Sequence, residues 1–100
     1  MNASEQIVTI AWWQTRQDTL GEVLGLLAEL RAASLAEPGC LDYEVLASVD
    51  DAGALVLIER YRDSSALEYH RLSDHYRELV VGQIVPLLES RHVELLGLRE

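Results

Sequence analysis

Leu41-Asp42-Tyr43-Glu44-Val45-Leu46-Ala47-Ser48-Val49, then Asp50-Asp51-Ala52-Gly53, then Ala54-Leu55-Val56-Leu57-Ile58-Glu59-Arg60-Tyr61, is the stretch on which the fold turns. A period of two puts Leu41, Tyr43, Val45, Ala47 and Val49 on one face and Asp42, Glu44, Leu46 and Ser48 on the other, which predicts a strand with a partly polar face. Asp50 to Gly53 is rich in turn formers, so the run from Ala54 to Tyr61 folds back as an antiparallel partner. An isolated hairpin is marginal in water. What flanks it therefore decides the architecture.

Upstream, Ile7-Val8-Thr9-Ile10-Ala11-Trp12-Trp13 is β-branched or aromatic almost throughout and suits a strand buried on both faces. Thr19-Leu20-Gly21-Glu22 has the form of a capping box. Leu20, Val23, Leu24, Leu27 and Leu30 follow with the spacing of one helical stripe, until Pro38-Gly39 forbids continuation beyond about Ala36. Downstream, Asp63 caps a short helix to about Leu72, and Ser73 caps a second one from Asp74 to Val81. Gly82 and Pro86 separate these from a last strand, Arg91 to Leu98. The order β-α-β-β-α-β is the ferredoxin-like α+β split motif with an antiparallel sheet, read as a single domain over residues 1–100.

Composition narrows the function. At 49% apolar and 25% charged the chain is globular rather than disordered. A net charge of −9 opposes phosphate backbones and anionic lipid surfaces, which argues against nucleic-acid and membrane partners. All 8 basic residues are Arg, so Schiff-base chemistry lacks its amine. One cysteine allows no internal disulfide, and no signal core or bilayer-length apolar run is present; the cytoplasm is the default expectation.

Chemistry concentrates between Glu59 and Tyr76. Leu57, Glu59 and Tyr61 share a strand face, and if that face meets the helices, Glu59 and Tyr61 lie under His70 or His75. A carboxylate, a phenol and an imidazole meeting in one cavity would make a general-base site, with the phenol donating to a developing oxyanion. The other reading is of helix-surface histidines and a core tyrosine. Two histidines and a carboxylate also suit a metal, but His70 and His75 are five apart across a helix break rather than four apart on one face, so no metal is expected. His92 stands alone on the last strand, and Cys40, after a Pro-Gly turn, reads as a small packed side chain. Trp12 and Trp13 point to opposite faces, one towards a pocket beneath the helices and one away. With helices on one sheet face only, Val45, Ala47, Val56, Ile58, Val93 and Leu95 put apolar residues on both sides of the sheet, which favours sheet-on-sheet homodimerisation.

Pro38-Gly39-Cys40-Leu41-Asp42-Tyr43-Glu44-Val45, Glu59-Arg60-Tyr61-Arg62-Asp63 with Ala66-Leu67 and His70, and Ser73-Asp74-His75-Tyr76 together resemble the antibiotic biosynthesis monooxygenase domain. Tyr43, Glu59, His70 and His75 sit where that pattern has the same residue type, whereas Tyr61 stands in place of its tryptophan and Tyr76 in place of its phenylalanine. The resemblance implies two ferredoxin-like chains paired through their sheets into a dimeric α+β barrel, with a pocket between sheet and helices. The lone Asn2 precedes the first strand, while haem-degrading members use a strand asparagine, which argues against haem degradation.

The resemblance further implies a cofactor-independent monooxygenase that oxidises a small aromatic quinol or anthrone with dioxygen. His70 or His75 would ionise the substrate, Tyr61 or Tyr43 would hold its oxyanion, and Trp12 or Trp13 with Glu59 and Tyr76 would line the pocket. Two alternatives stand beside it. One is a non-catalytic ligand-binding dimeric module whose tyrosines fill the pocket. The other is isomerase-type processing of a small polar metabolite, for which Arg60 and Arg62 are candidate donors.

Overall fold

The structure, a computed structural model, describes residues 5–98. Its elements are β1 (Gln6–Thr15), α1 (Leu20–Leu35), β2 (Cys40–Ala47), β3 (Ala54–Tyr61), α2 (Ser64–Leu72), α3 (Tyr76–Ile84, wound as a π-helix), a 3-10 turn (Val85–Leu87) and β4 (Leu88–Leu98). The strands form one antiparallel sheet in the order β2-β3-β1-β4, and the helices cover one of its faces. This is the ferredoxin-like arrangement expected from the hairpin and its flanks.

Val23, Leu27 and Leu30 of α1 are buried against Ile7, Ala11 and Trp13 of β1 and Leu55 and Leu57 of β3, joined by Leu67, Leu79, Val80 and Ile84 from the later helices. Each of these large side chains contributes about 1.5–3 kcal/mol on leaving water. Strand register sets the rows of the helix-facing side: Thr9, Glu59 and Tyr43 lie abreast, and Ile7, Tyr61 and Cys40 form the next row. A row carrying polar groups and a row of packed side chains are thus adjacent on one sheet face.

Five details depart from the sequence expectation. Thr19 stands at the start of α1 but makes no side-chain cap; its hydroxyl donates to the Arg16 and Leu87 carbonyls at 2.7 and 3.1 Å, tying the loop to the foot of β4. A bulge between Cys40 and Asp42 sets two β2 residues against one on β3, turning Leu41 outward and bringing Cys40 inward. Gly82 does not end a helix, because α3 continues to Ile84 on i to i−5 bonds such as Val85 N–H to Val80 O. β4 begins at Leu88, ahead of the expected Arg91. Finally, Ile7 to Trp13 is not buried on both faces: Trp12 is 39% exposed, since its face carries no second layer.

Asp63 caps α2 as expected, accepting from the Ala66 amide at 2.8 Å. Gly39 lies so close to α2 that a Cβ there would overlap the Ala66 Cβ, and this contact presses the connection between α1 and β2 against the helix. Gly39→Ala is expected to destabilise the fold by about 1–3 kcal/mol. Gly25→Ala, whose added Cβ meets nothing within 4 Å in the middle of α1, should stabilise it by about 0.5–1 kcal/mol. Denaturant midpoints of the two variants check both.

Candidate functional site

His70 is the hub. It projects from the last turn of α2, is only 2% exposed, and is ringed by Tyr61, Tyr76, His75 and Tyr43 at centroid separations of 5.2, 5.3, 5.9 and 6.4 Å. Its Nδ1 lies 2.8 Å from Oε2 of Glu37, and its Nε2 is 3.7 Å from Oε1 of Glu59. Glu37, 6% exposed, also receives Nε2 of His75 at 2.5 Å on the same oxygen. A carboxylate only accepts, so these hydrogen bonds place a proton on His70 Nδ1 and on His75 Nε2, and His70 Nε2 is the ring nitrogen turned towards Glu59.

Local chain chemistry explains the convergence. On a continuous helix residues five apart point about 140° away from each other. Ser73 breaks the helix with an extended backbone, its hydroxyl donating to the His70 carbonyl at 2.6 Å and accepting from the Tyr76 amide at 3.2 Å. The chain thereby restarts with His75 beside His70. Glu37 arrives from the other side, carried on the segment that Gly39 presses against α2. Sequence reasoning missed Glu37. Its only signal is position, a carboxylate at the end of an apolar helix immediately before Pro38-Gly39.

Burial raises the Glu59 carboxyl above the usual carboxylate range, against the opposing pull of the Tyr61 hydroxyl and His70. Tyr61 donates its hydroxyl to Oε1 of Glu59. Burial first and Glu59 second push the Tyr61 and Tyr43 hydroxyls well above the ordinary phenol value, so both remain protonated donors. A cavity of about 50 Å³ adjoins His70, lined by Thr9, Trp13, Tyr43, Glu59, Tyr76 and Val93 among others. Such a space holds a water or dioxygen, well short of the several hundred Å³ of a drug-sized ligand site.

Of the residues expected at the site, His70, Trp13, Tyr43, Glu59 and Tyr76 border this cavity. Tyr61 stands behind Glu59, and His75 is on the far side of His70, bonded to Glu37. Trp12 lies on the opposite sheet face, with its ring 5.5 Å from His92. Arg60 is exposed on that same outer face and Arg62 pairs with Asp63 at 3.4 Å, whereas Arg71 and Arg91 reach the cavity rim. Asn2 is outside the described residues. Glu37, His70 and His75 each offer one metal-ligating atom, all within 4.8 Å of one another, so the helix break has assembled the set that a five-residue spacing on one helix would keep apart.

Cys40 is buried below Tyr61, and burial with the nearby Glu37 and Glu59 charges pushes its thiol up to about 11. Its alkylation near pH 8 should be at least about 100-fold slower in the native chain than in the urea-unfolded one, as read by iodoacetamide labelling and mass spectrometry.

Residues 6–81 match the model of the family described as "Antibiotic biosynthesis monooxygenase". The Mycobacterium tuberculosis protein named "Putative monooxygenase Rv0793" is 40% identical over 70 residues, covering 70% of this chain and 68% of that one. The solved structure of Rv0793 superposes with a TM-score of 0.86 at 34% identity over 95% of this chain and 96% of its own. Protein SO0527 from Shewanella oneidensis superposes at 0.88 with 28% identity over 95% and 92%, and PA3566 from Pseudomonas aeruginosa at 0.88 with 26% identity over the full length of both. No described helix is long and apolar enough to cross a membrane. The chain belongs to the antibiotic biosynthesis monooxygenase family.

Proposed function

We propose that the protein is a cofactor-independent monooxygenase that oxidises a small aromatic quinol or anthrone-type substrate with dioxygen. The observation that carries this reading is His70. One ring nitrogen is held by a buried carboxylate and the other faces Glu59 beside a cavity walled by Trp13, Tyr43 and Tyr76. A base needs this orientation to take a proton repeatedly at one atom. Glu37 is then a positioning residue, and Tyr61 holds Glu59.

For an anthrone-type ring the balance closes without flavin or metal. His70 Nε2 removes the acidic proton, and the resulting enolate, held by the Tyr43 hydroxyl, gives one electron to dioxygen. The substrate radical and superoxide recombine at carbon to a peroxide. Heterolysis of its O–O bond, with loss of the remaining hydrogen on that carbon, leaves the new carbonyl, and the departing oxygen leaves as water with the proton returned by the imidazolium. One oxygen atom enters the product and one becomes water.

The cavity has room for dioxygen but not for the ring, so the aromatic substrate lies at its mouth, across Val93 and between Arg71, Tyr76 and Arg91. The same small volume, with Tyr43 and Tyr61 fully buried, favours a second reading as a ligand-binding module without turnover. Oxygen uptake with a reduced quinol or an anthrone separates the two. His70→Ala should lower turnover by about 10²- to 10⁴-fold, whereas His92→Ala, on the opposite face, should leave it unchanged. Full activity in His70→Ala sinks the acid-base mechanism.

A homodimer through the helix-free sheet face belongs to the same proposal. Trp12, Leu46 and Leu96 are 39%, 47% and 46% exposed there, beside half-buried Ile10, Val56 and Ile58. Light scattering at micromolar concentration should return twice the chain mass of 11.2 kDa. Trp12→Asp should shift the population towards one chain, and a wild-type mass of a single chain refutes the pairing.

A further inference from the structure

We infer that Glu37, His70 and His75 form a binding site for a divalent transition-metal cation of the zinc class, placed behind the proposed base. Two imidazoles, one carboxylate and a water make up a common four-coordinate set for such ions. The three ligating atoms lie within 4.8 Å of one another. Tetrahedral ligands about 2.0–2.1 Å from a zinc ion stand about 3.3 Å apart, so the present N to O separations of 2.8 and 2.5 Å open by less than an ångström.

Three further observations point to a cation. Oε1 of Glu37 is buried without any hydrogen-bond partner, so a cation held on Oε2 between the two imidazoles finds a second, unfilled acceptor on the same carboxylate. Among the described residues, the only groups at ion-pair distance from Glu37 are the two imidazoles, so no Arg side chain fills the position a cation would take. Glu59 stands 3.7 Å from the remaining nitrogen of His70, the outer-shell carboxylate that orients a metal-bound imidazole. His75 is partly exposed beside a surface hollow lined by Tyr69, Leu72, Ser73 and Asp74, which supplies an entry path.

Neither Glu37 nor His75 lines the cavity of the proposed reaction. A cation bound there therefore meets no substrate or dioxygen. It acts on His70 instead: coordination at Nδ1 moves the ring proton to Nε2, which turns the base into a donor to Glu59. The consequence is inhibition of turnover by the metal, a step that rests on the oxygenase reading, whereas the binding itself does not.

Calorimetric titration of zinc chloride into the full chain, in a buffer free of chelating groups, should show one equivalent bound. Cobalt(II) should develop the visible absorption of a four- or five-coordinate ion. His75→Ala and Glu37→Gln should each weaken binding by more than about 100-fold, and Glu59→Gln by about 10- to 100-fold. His92→Ala should bind as the wild type does. His75 is partly exposed, so its truncation decides the matter even if circular dichroism shows Glu37→Gln unfolded. No one-to-one binding, or binding that survives His75→Ala, overturns the site. Binding by a chain that shows no oxygen uptake even when metal-free refutes only the oxygenase reading, and metal-free uptake without binding refutes only this one.

Discussion

A carboxylate taken out of water has to be met by donors, and Glu37 is such a carboxylate. Its Oε2 receives His70 from α2 and His75 from the turn before α3, while its own backbone belongs to the connection between α1 and β2. One oxygen atom therefore ties two neighbouring helical segments to a connection 33 and 38 residues upstream of their histidines. Removing either imidazole leaves a buried carboxylate short of a hydrogen-bond donor, which typically costs about 1–3 kcal/mol or more. The close approach of Gly39 to Ala66, the break at Ser73 and the orientation of His70 all serve this junction.

The sheet supplies the opposite wall. Because Glu59 and Tyr61 are two apart on β3, both point to the helices, and the Tyr61 hydroxyl is spent on Glu59 rather than offered to the cavity. Burial keeps both core tyrosines protonated, and it raises Glu59 as well. The imidazole is thus surrounded by groups that either stay neutral or pay for their charge by contact with it. This arrangement leaves His70 as the group on which the proposed proton transfer rests.

Beyond the helix layer the sheet is unfinished as a single chain. The helices stop short of β4, leaving Val93 and Leu95 exposed on the cavity side and Leu96 exposed on the other. Trp12 shares that outer face. Apolar side chains at adjacent ladder positions on an uncovered face are what a second sheet would bury. The small cavity and the exposed cavity-side residues of β4 belong to the same geometry, since the strand that borders the mouth is also the least covered.

Periodicity and turn chemistry made the fold legible. Alternation over Leu41 to Ala47, the Asp-Asp-Ala-Gly turn and the Asp63 cap act between near neighbours, so they could be read without knowing the fold. Pairing Glu59 with Tyr61 followed from the same period of two. The rest needed tertiary structure. The bulge that swaps Leu41 for Cys40 depends on the β3 partner, and Thr19 gave up its cap for a carbonyl 68 residues away. Above all, His70 and His75 diverge by helical arithmetic and meet only because the chain breaks at Ser73 and Glu37 is carried in from 33 residues upstream of His70. Local sequence encodes the direction a side chain takes from its own backbone; which charges end up sharing one oxygen is decided by how separate segments pack.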